Sequence, residues 1–453
     1  MKAAKISKIY CLHFCAVLLN VFILCASYAI SVNGQGTQPA GSTKITPPAA
    51  ADISVEIRSI LSRPELRRGI AALKIIDLAS GKTLFEENAD KYVMPASNMK
   101  SFTVAAVLDK FGADYRTYTS LYGILAPIDV TTSPVNPTPQ TSDTSLPQQD
   151  KMVAGDLYIF GRGDVSYSTR FGYKDLNSAL DRIVDALIAK GVKKITGDIV
   201  GDDSFFKGST IPEGWEWDDL QWSYGAEVTA LPINDNVVTI YLKPGTVGLP
   251  CLVRMEPQNP VVRIISRCTT SDKSVPRRIA INKPLEQNSV EITGTLPSGT
   301  NEAAYTIAVS RPQELFAALL RQRLIEKGVT VVGGYRSVHR QDFSLPPGLE
   351  IARIESPPLA EIIANTMKPS QNMYTEVLLR LLGEALRQEQ KSLAGANPRP
   401  DNQNPLDNST SDELGRKAVR NFLDKIGVAP DGIVQYDGSG LSRHNLVSAS
   451  AIV

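Results

Sequence analysis

"VMPASNMKSFTVAAVL", residues 93–108, places Ser97 three positions ahead of Lys100 at the start of an apolar helical run that Gly112 stops. Residues three apart on a helix share a face, with β-carbons about 5–6 Å apart. A serine hydroxyl is a weak nucleophile until a neighbour takes its proton, and an amine does so once desolvation depresses its pKa. Met99, Phe102, Val104, Ala105 and Ala106 supply apolar surroundings of that kind. Taken alone, Ser-x-x-Lys equally describes a solvated lysine near an ordinary helix start, so the reading turns on a companion elsewhere in the chain.

That companion is "MKPSQNMYTEV", residues 367–377, which sets Ser370 and Asn372 two positions apart in a break between two helical patterns. A hydroxyl and a carboxamide so placed can face one cleft, Ser370 carrying a proton between Lys100 and a leaving group and Asn372 holding a substrate amide. Outward from these two segments, "GIAALKIIDLA" and "TLFEEN" predict a β-hairpin around Ser80-Gly81, and "ISVEIRSIL" an amphipathic helix. From about residue 120 strand-like runs dominate, interrupted by a Pro/Thr/Ser-rich loop and by the helices "DLNSALDRIVDALIAKG" and "PQELFAALLRQRLIEKG". Helical texture returns after "LEIARIE", with a second polar insertion near residues 392–411.

The 453 residues are 43% hydrophobic and 21% charged with a net charge of +1, a globular balance that argues against a nucleic-acid partner. Three lysines and a long apolar run ending at Ser27-Tyr28-Ala29 predict an export signal, residues 1–29, or a retained anchor with peripheral membrane association. Its loss leaves a net charge of about −2. Residues 30–51 form a polar linker. Cys251 and Cys268 then remain, either as one disulfide or as two buried thiols. With only His339 and His444 left, and no G-x-S-x-G elbow, a Ser-His-Asp hydrolase is excluded. No clustered ligands point to a metal, and no cofactor is expected.

Ser97-x-x-Lys100 followed by Ser370-x-Asn372 resembles the first two motifs of penicillin-binding proteins and serine β-lactamases. The long separation, with "GDLYIFGRGD", "ITGDIVGDDSFF", "GWEWDDLQWSYGAEVTALPINDN" and "YDGSGLSR", is similar to the class C low-molecular-weight type, the D-alanyl-D-alanine carboxypeptidase/endopeptidases. The resemblance implies an α+β fold: a serine β-lactamase/DD-peptidase-like transpeptidase domain, residues 52–121 and 352–453, interrupted by a large β-rich insertion, 122–351. It implies that Ser97 attacks the penultimate D-alanine of a peptidoglycan stem peptide, that Lys100 takes the proton, and that Ser370 and Asn372 assist. β-Lactam antibiotics become expected ligands and the periplasm or cell envelope the expected location. Trp215 and Asp218 match positions that line a pocket for the diamino acid side chain, although Ser223 stands where an aromatic residue is usual.

One family motif is unmatched. Lys-Thr/Ser-Gly does not occur after Ser97; the only Lys-Thr, Lys82-Thr83, precedes it and continues with Leu84. A C-terminally truncated chain, poorly folded or short of full activity, is therefore expected. A β-lactamase or esterase using the same dyad, and a non-catalytic wall-binding remnant, are the rival readings.

Overall fold

The computed structural model describes residues 50–128, 150–340, 344–396 and 408–453. The expected export signal, most of the linker, the Pro/Thr/Ser-rich loop and part of the second polar insertion lie outside the described residues. The chain divides into two units, 1–58 and 59–453. The described part of the first is the beginning of helix α1 (Ala50–Leu61), where the amphipathic pattern predicts it.

In the second unit β1 (Leu73–Ile76) and β2 (Thr83–Glu87) form the predicted antiparallel hairpin. Its turn is held by Asp77, whose Oδ1 accepts the Ser80 N–H at 2.8 Å. Helix α2 (Met99–Phe111) follows, running from the serine–lysine segment to Gly112.

The inserted region contains β3 (Tyr118–Gly123), β4 (Leu125–Pro127), β5 (Lys151–Val153), β6 (Leu157–Phe160), α3 (Leu176–Ala189), β7 (Val192–Ile195) and β8 (Ile199–Asp202). It continues with β9 (Val237–Lys243), β10 (Leu252–Glu256), β11 (Arg263–Ser271), β12 (Arg278–Asn282), β13 (Ser289–Pro297) and β14 (Ala303–Ala308). Helix α4 (Pro312–Glu326), β15 (Thr330–Val331), β16 (Tyr335–Val338) and β17 (Leu349–Glu355) complete it. The strands make sheets ordered β16-β8-β6-β3-β17, β15-β7-β5-β4, β10-β9-β14 and β11-β13-β12. The two helices expected within the β-rich region are present, the amphipathic α3 and the largely buried α4, which packs on β8 and β16. Leu121, Ile159, Ile183, Ile199, Phe316 and Leu320 are among the residues of its core. Cys251 and Cys268 form a disulfide, resolving the two readings left open above.

The insertion enters and leaves by one neck. β3 and β17 pair antiparallel from Tyr118↔Glu355 to Gly123↔Leu349. One residue further out, the Ser356 N–H donates to the Thr117 carbonyl at 2.9 Å, and the Thr117 N–H donates to Ser356 Oγ at 3.1 Å. The boundaries expected at 122 and 351 therefore fall inside paired strands rather than between elements.

Beyond the neck lie α5 (Leu359–Met367), α6 (Asn372–Ala396), α7 (Ser411–Ile426), β18 (Ile433–Val434), β19 (Leu446–Val447) and α8 (Ala449–Ile452). α6 runs into the segment read as polar insertion. A second core joins Met99, Phe102 and Val107 of α2 to Met373, Val377 and Leu381 of α6 and Val419 of α7. α6 and α7 approach so closely that a β-carbon at Gly383 would lie 2.0 Å from the Ser411 carbonyl oxygen, and one at Gly415 2.2 Å from that of Leu379.

Against this core α6 turns a row of charges at spacings of four, four and three: Glu376, Arg380, Glu384 and Arg387, none more than 4% exposed. Buried charges require partners. Arg387 Nε meets Glu384 Oε2 at 3.0 Å, Ser411 Oγ donates to Glu384 Oε1 at 2.5 Å, and Arg380 donates to the Ser209 carbonyl at 2.8 Å.

Candidate active site

Ser97 lies in a 3₁₀ turn, Ala96–Asn98, that leads directly into α2. Ala96 has φ 45°, a left-handed conformation that costs an alanine roughly 1–2 kcal/mol. The turn is pressed against the "DGSG" segment: a β-carbon at Gly440 (φ 82°) would lie 1.8 Å from the Ala96 carbonyl oxygen, so only glycine fits. This contact presents the Ser97 hydroxyl at an exposed position while Lys100, one turn on, is 1% exposed.

Lys100 Nζ has three partners: Ser97 Oγ at 3.1 Å, Asn372 Oδ1 at 2.7 Å and the Ser439 carbonyl oxygen at 2.8 Å. An ammonium group has three hydrogens for these three acceptors. Burial pushes the amine down to about 8, against the opposing pull of the Glu376 and Asp437 carboxylates. In its neutral form the amine can turn a lone pair toward the Ser97 hydroxyl, which is the geometry of a base beside its nucleophile. Ser370, in the break between α5 and α6 with φ 58°, donates from Oγ to Ser97 Oγ at 2.8 Å. Ser97 is thus joined directly to both Lys100 and Ser370.

Asn372 opens α6, and its carboxamide is already engaged at both ends. Oδ1 accepts from Lys100, and Nδ2 donates to the Tyr224 carbonyl at 2.9 Å. Asn372 therefore fixes the lysine, and one N–H of Nδ2 remains for the substrate amide it is expected to hold.

Behind the lysine, Glu376 sits one helical turn after Asn372. Its Oε1 accepts the Gly438 and Ser439 N–H groups at 2.9 and 2.7 Å, which sets the Ser439 carbonyl against Lys100. Its Oε2 is buried without a partner. Burial, and then the nearby Asp437, push this carboxyl up to about 8 against the influence of Arg380. Asp437 ties the segment together: Oδ1 accepts from Gly440 N at 2.7 Å and Asn445 Nδ2 at 2.8 Å, and Oδ2 from Ser442 N at 2.7 Å.

Trp215 also belongs to this support. It is buried, and its indole N–H donates to Asp437 Oδ2 at 2.8 Å, so it braces the glycine-rich segment from behind rather than lining an open pocket. Asp218 is exposed on the same stretch. The sequence reading missed Glu376, Asp437 and the carbonyls of Ser439 and Tyr224. The one available signal was Glu376 itself, an acid four residues after Asn372 within "MYTEVLLRLL". His444 is exposed and rests against the Tyr436 ring, away from these contacts. Among the described residues no group of three or more His, Cys, Asp or Glu is placed to hold a metal.

Beside Ser370 opens a cavity of about 240 Å³, lined by Pro369–Asn372 on one wall and by Ser223, Tyr224, Arg170, Asp235 and Thr306 of the inserted region. The arrangement as a whole offers an exposed hydroxyl, a buried amine of lowered pKa in contact with it, a second hydroxyl to relay a proton, and a polar recess alongside.

The chain is similar to known proteins of one family. A model of the D-Ala-D-Ala carboxypeptidase 3 (S13) family matches residues 53–126, 140–398 and 402–453. The chain is 28% identical to a D-alanyl-D-alanine carboxypeptidase of Actinomadura sp. (strain R39) over 424 residues, covering 90% of this chain and 69% of that one. It is 24% identical to penicillin-sensitive carboxypeptidase A of Dictyostelium discoideum, covering 82% of this chain and 64% of the relative. Identity is again 24% to the D-alanyl-D-alanine carboxypeptidase DacB of Haemophilus influenzae, with 69% and 60% covered. The chain therefore spans roughly two thirds of the length of the curated relatives it matches. The crystal structure of penicillin binding protein 4 (dacB) from Haemophilus influenzae superposes with a TM-score of 0.64 at 22% identity, over 84% of this chain and 72% of that one, and shares its α+β fold.

Proposed function

Because the chain belongs to the D-Ala-D-Ala carboxypeptidase 3 (S13) family, we propose that it is a serine DD-peptidase acting on the D-alanyl-D-alanine end of peptidoglycan stem peptides. The observation that carries this reading is the position of Ser97 Oγ, 3.1 Å from Lys100 Nζ and 2.8 Å from Ser370 Oγ. In the proposed reaction neutral Lys100 takes the hydroxyl proton as Ser97 Oγ bonds to the carbonyl carbon of the penultimate D-alanine. The tetrahedral adduct collapses with cleavage of the C–N bond, Ser370 delivering a proton to the departing amine of D-alanine and taking one in turn from the Lys100 ammonium, which returns to its neutral form. Water then enters, Lys100 again accepts its proton, and the acyl-enzyme is released as a shortened peptide. General-base assistance of this kind is worth about 10²- to 10⁴-fold. Asn372 holds Lys100 in place. A β-lactam ring opened by the same attack leaves an acyl group on Ser97.

Export to the periplasm or cell envelope is part of the proposal. It is supported by the basic-then-apolar segment 1–29 and by the Cys251–Cys268 disulfide, a bond that persists in oxidising compartments. Among the described residues no helix is long and apolar enough to cross a membrane.

The test is labelling with fluorescent penicillin alongside release of D-alanine from a pentapeptide. Labelling that Ser97→Ala abolishes, with D-alanine release, is the expected result. Rapid turnover of nitrocefin would favour a β-lactamase, and absence of any label would leave a wall-binding protein.

A further inference from the structure

Lys100 faces three acceptors, and α6 governs two of them. Asn372 Oδ1 takes one N–H directly at 2.7 Å. The Ser439 carbonyl takes another at 2.8 Å, and its place depends on Glu376, one helical turn beyond Asn372. Glu376 Oε1 accepts the consecutive N–H groups of Gly438 and Ser439. From the opposite side Thr103 of α2, three residues after Lys100, donates its hydroxyl to the Gly438 carbonyl at 2.9 Å. Two successive peptide groups are thereby pinned between α2 and α6, by Lys100 and Thr103 at their carbonyls and by Glu376 at their N–H groups. Glu376 and Thr103 are fully buried and Lys100 nearly so.

The consequence lies in the neutral amine. An ammonium group has three hydrogens for three acceptors, but the neutral form has two hydrogens and one lone pair. With Asn372 Oδ1 and the Ser439 carbonyl both fixed, they take the two hydrogens, and the remaining direction, the lone pair, points at Ser97 Oγ, 3.1 Å away. A loose Ser439 carbonyl would free the amine to turn, and its lone pair would meet Ser97 only part of the time. The Glu376 carboxyl also acts on the amine by charge. Its neighbours are Lys100 of α2, Asp437 of the glycine-rich segment and Arg380 on its own helix, and Arg380 in turn faces Asp412 and Arg416 of α7. Its Oε2, buried without a partner, favours the neutral acid, whereas an ionised Glu376 holds the Lys100 ammonium in its charged form.

We propose that Glu376 is a positioning residue of the reaction, which aims the Lys100 lone pair at Ser97 by holding the Ser439 carbonyl in place. In its ionised form it also opposes release of the amine's proton. The inference rests on the DD-peptidase reading and adds to Ser97, Lys100, Ser370 and Asn372 a residue that never touches the substrate.

The experiment follows penicillin acylation by stopped flow across the pH range, separating binding from the acylation rate constant, in the unmodified protein, Glu376→Ala and Glu376→Gln. Alanine removes both the acceptor and the charge; glutamine keeps an oxygen for the two N–H groups and never ionises. Glu376→Ala is expected to lower the acylation rate constant at its plateau by about 10²-fold while binding changes by less than about threefold. Glu376→Gln regains most of that loss and reaches half its maximum at a lower pH than the unmodified protein. A merely structural role would change stability and leave that pH unmoved. Circular dichroism melts establish that each variant is folded, and where alanine is not tolerated the glutamine profile decides. Independently of turnover, the Lys100 amine is titrated by NMR in Ser97→Ala protein carrying carbon-13 lysine, with and without Glu376→Gln, and the double variant is expected to titrate at the lower pH. A folded Glu376→Ala protein within about threefold of the unmodified rate, or a Lys100 titration unmoved by Glu376→Gln, overturns the proposal. Absence of penicillin labelling in the unmodified protein is the separate result that overturns the DD-peptidase reading.

Discussion

Replacing Glu376 by glutamine removes a pH dependence of stability that the unmodified protein carries. The Glu376 carboxyl is fully buried, and burial followed by Asp437 raises it from 4.5 to about 8. A carboxyl raised in the folded state stabilises fully below its unfolded pKa and gives that stability up as pH climbs through the folded value, so the window here is pH 4.5 to 8. At about 1.4 kcal/mol per pH unit, the unmodified protein loses about 3–4 kcal/mol between pH 5 and pH 8 through this one group. Glutamine keeps an oxygen for the Gly438 and Ser439 N–H groups and never ionises. The variant is therefore close to the parent at pH 5 and more stable by about 3–4 kcal/mol at pH 8. Lys100, lowered from 10.5 to about 8, gains its contribution as pH rises from 8 to 10.5, in the adjoining window and with the opposite sign. Because the Glu376 carboxylate helps hold that amine up, the variant lowers it further, and this shift is part of the difference measured. Urea unfolding followed by tryptophan fluorescence at pH 5, 6.5 and 8 measures the difference, since titrations common to both proteins cancel and Trp215 reports from the same hydrogen-bonded cluster. A difference that stays constant across the three pH values refutes the argument.

Acylation by a penicillin is expected to rise about tenfold per pH unit between pH 6 and 7 and to reach half its maximum near pH 8, because only neutral Lys100 accepts the Ser97 proton; a flat rate profile rules the lysine out as base. Asn372→Ala cuts Lys100 loose from one of its three acceptors and from the Tyr224 carbonyl, and lowers the acylation rate by about 10²-fold. Stopped-flow labelling measures it, and a loss below threefold argues that the other two contacts suffice. Gly440→Ala drives a β-carbon into the Ala96 carbonyl and destabilises the protein by more than about 3 kcal/mol, read from denaturant midpoints. Reducing the Cys251–Cys268 bond, which spans 17 residues, removes about 3 kcal/mol from the inserted region. Penicillin labelling of the reduced protein at 25 °C persists, whereas its loss would place the bond in the support of the site.

Much of the site was legible because its chemistry needs residue types that advertise themselves. Ser97 and Lys100 are local to one helical turn, and Ser370 and Asn372 to one loop, so spacing alone orients each pair. Elements with strong local signals, such as the β1–β2 hairpin and α3, fall where the pattern puts them. Other parts depend on distance in the chain. Tyr224 reaches Asn372 through its backbone carbonyl, which carries no side-chain signature, across 148 positions. Glu376 reads as an exposed helical acid until the packing of α2, α6 and α7 encloses it. Trp215 is expected in a pocket wall only through its match to a family position, and its N–H bond to Asp437 shows that it faces inward. The neck was displaced by four residues on each side because strand pairing across more than two hundred residues leaves no local trace.

The neck has an evolutionary reading. Two strands that meet at Thr117 and Ser356 bring the ends of the inserted segment within a single hydrogen bond of each other, so one recombination event could add or delete the whole cassette without stretching the host backbone. Topology makes the segment portable; the active site makes it indispensable. A deletion at that point would carry away the Tyr224 carbonyl that steadies Asn372, the indole that braces Asp437 and the guanidinium beside Ser370. The host core would keep its nucleophile and its base and lose the parts that hold them in register, so a lineage that acquired the cassette and let its own supports lapse could no longer discard it.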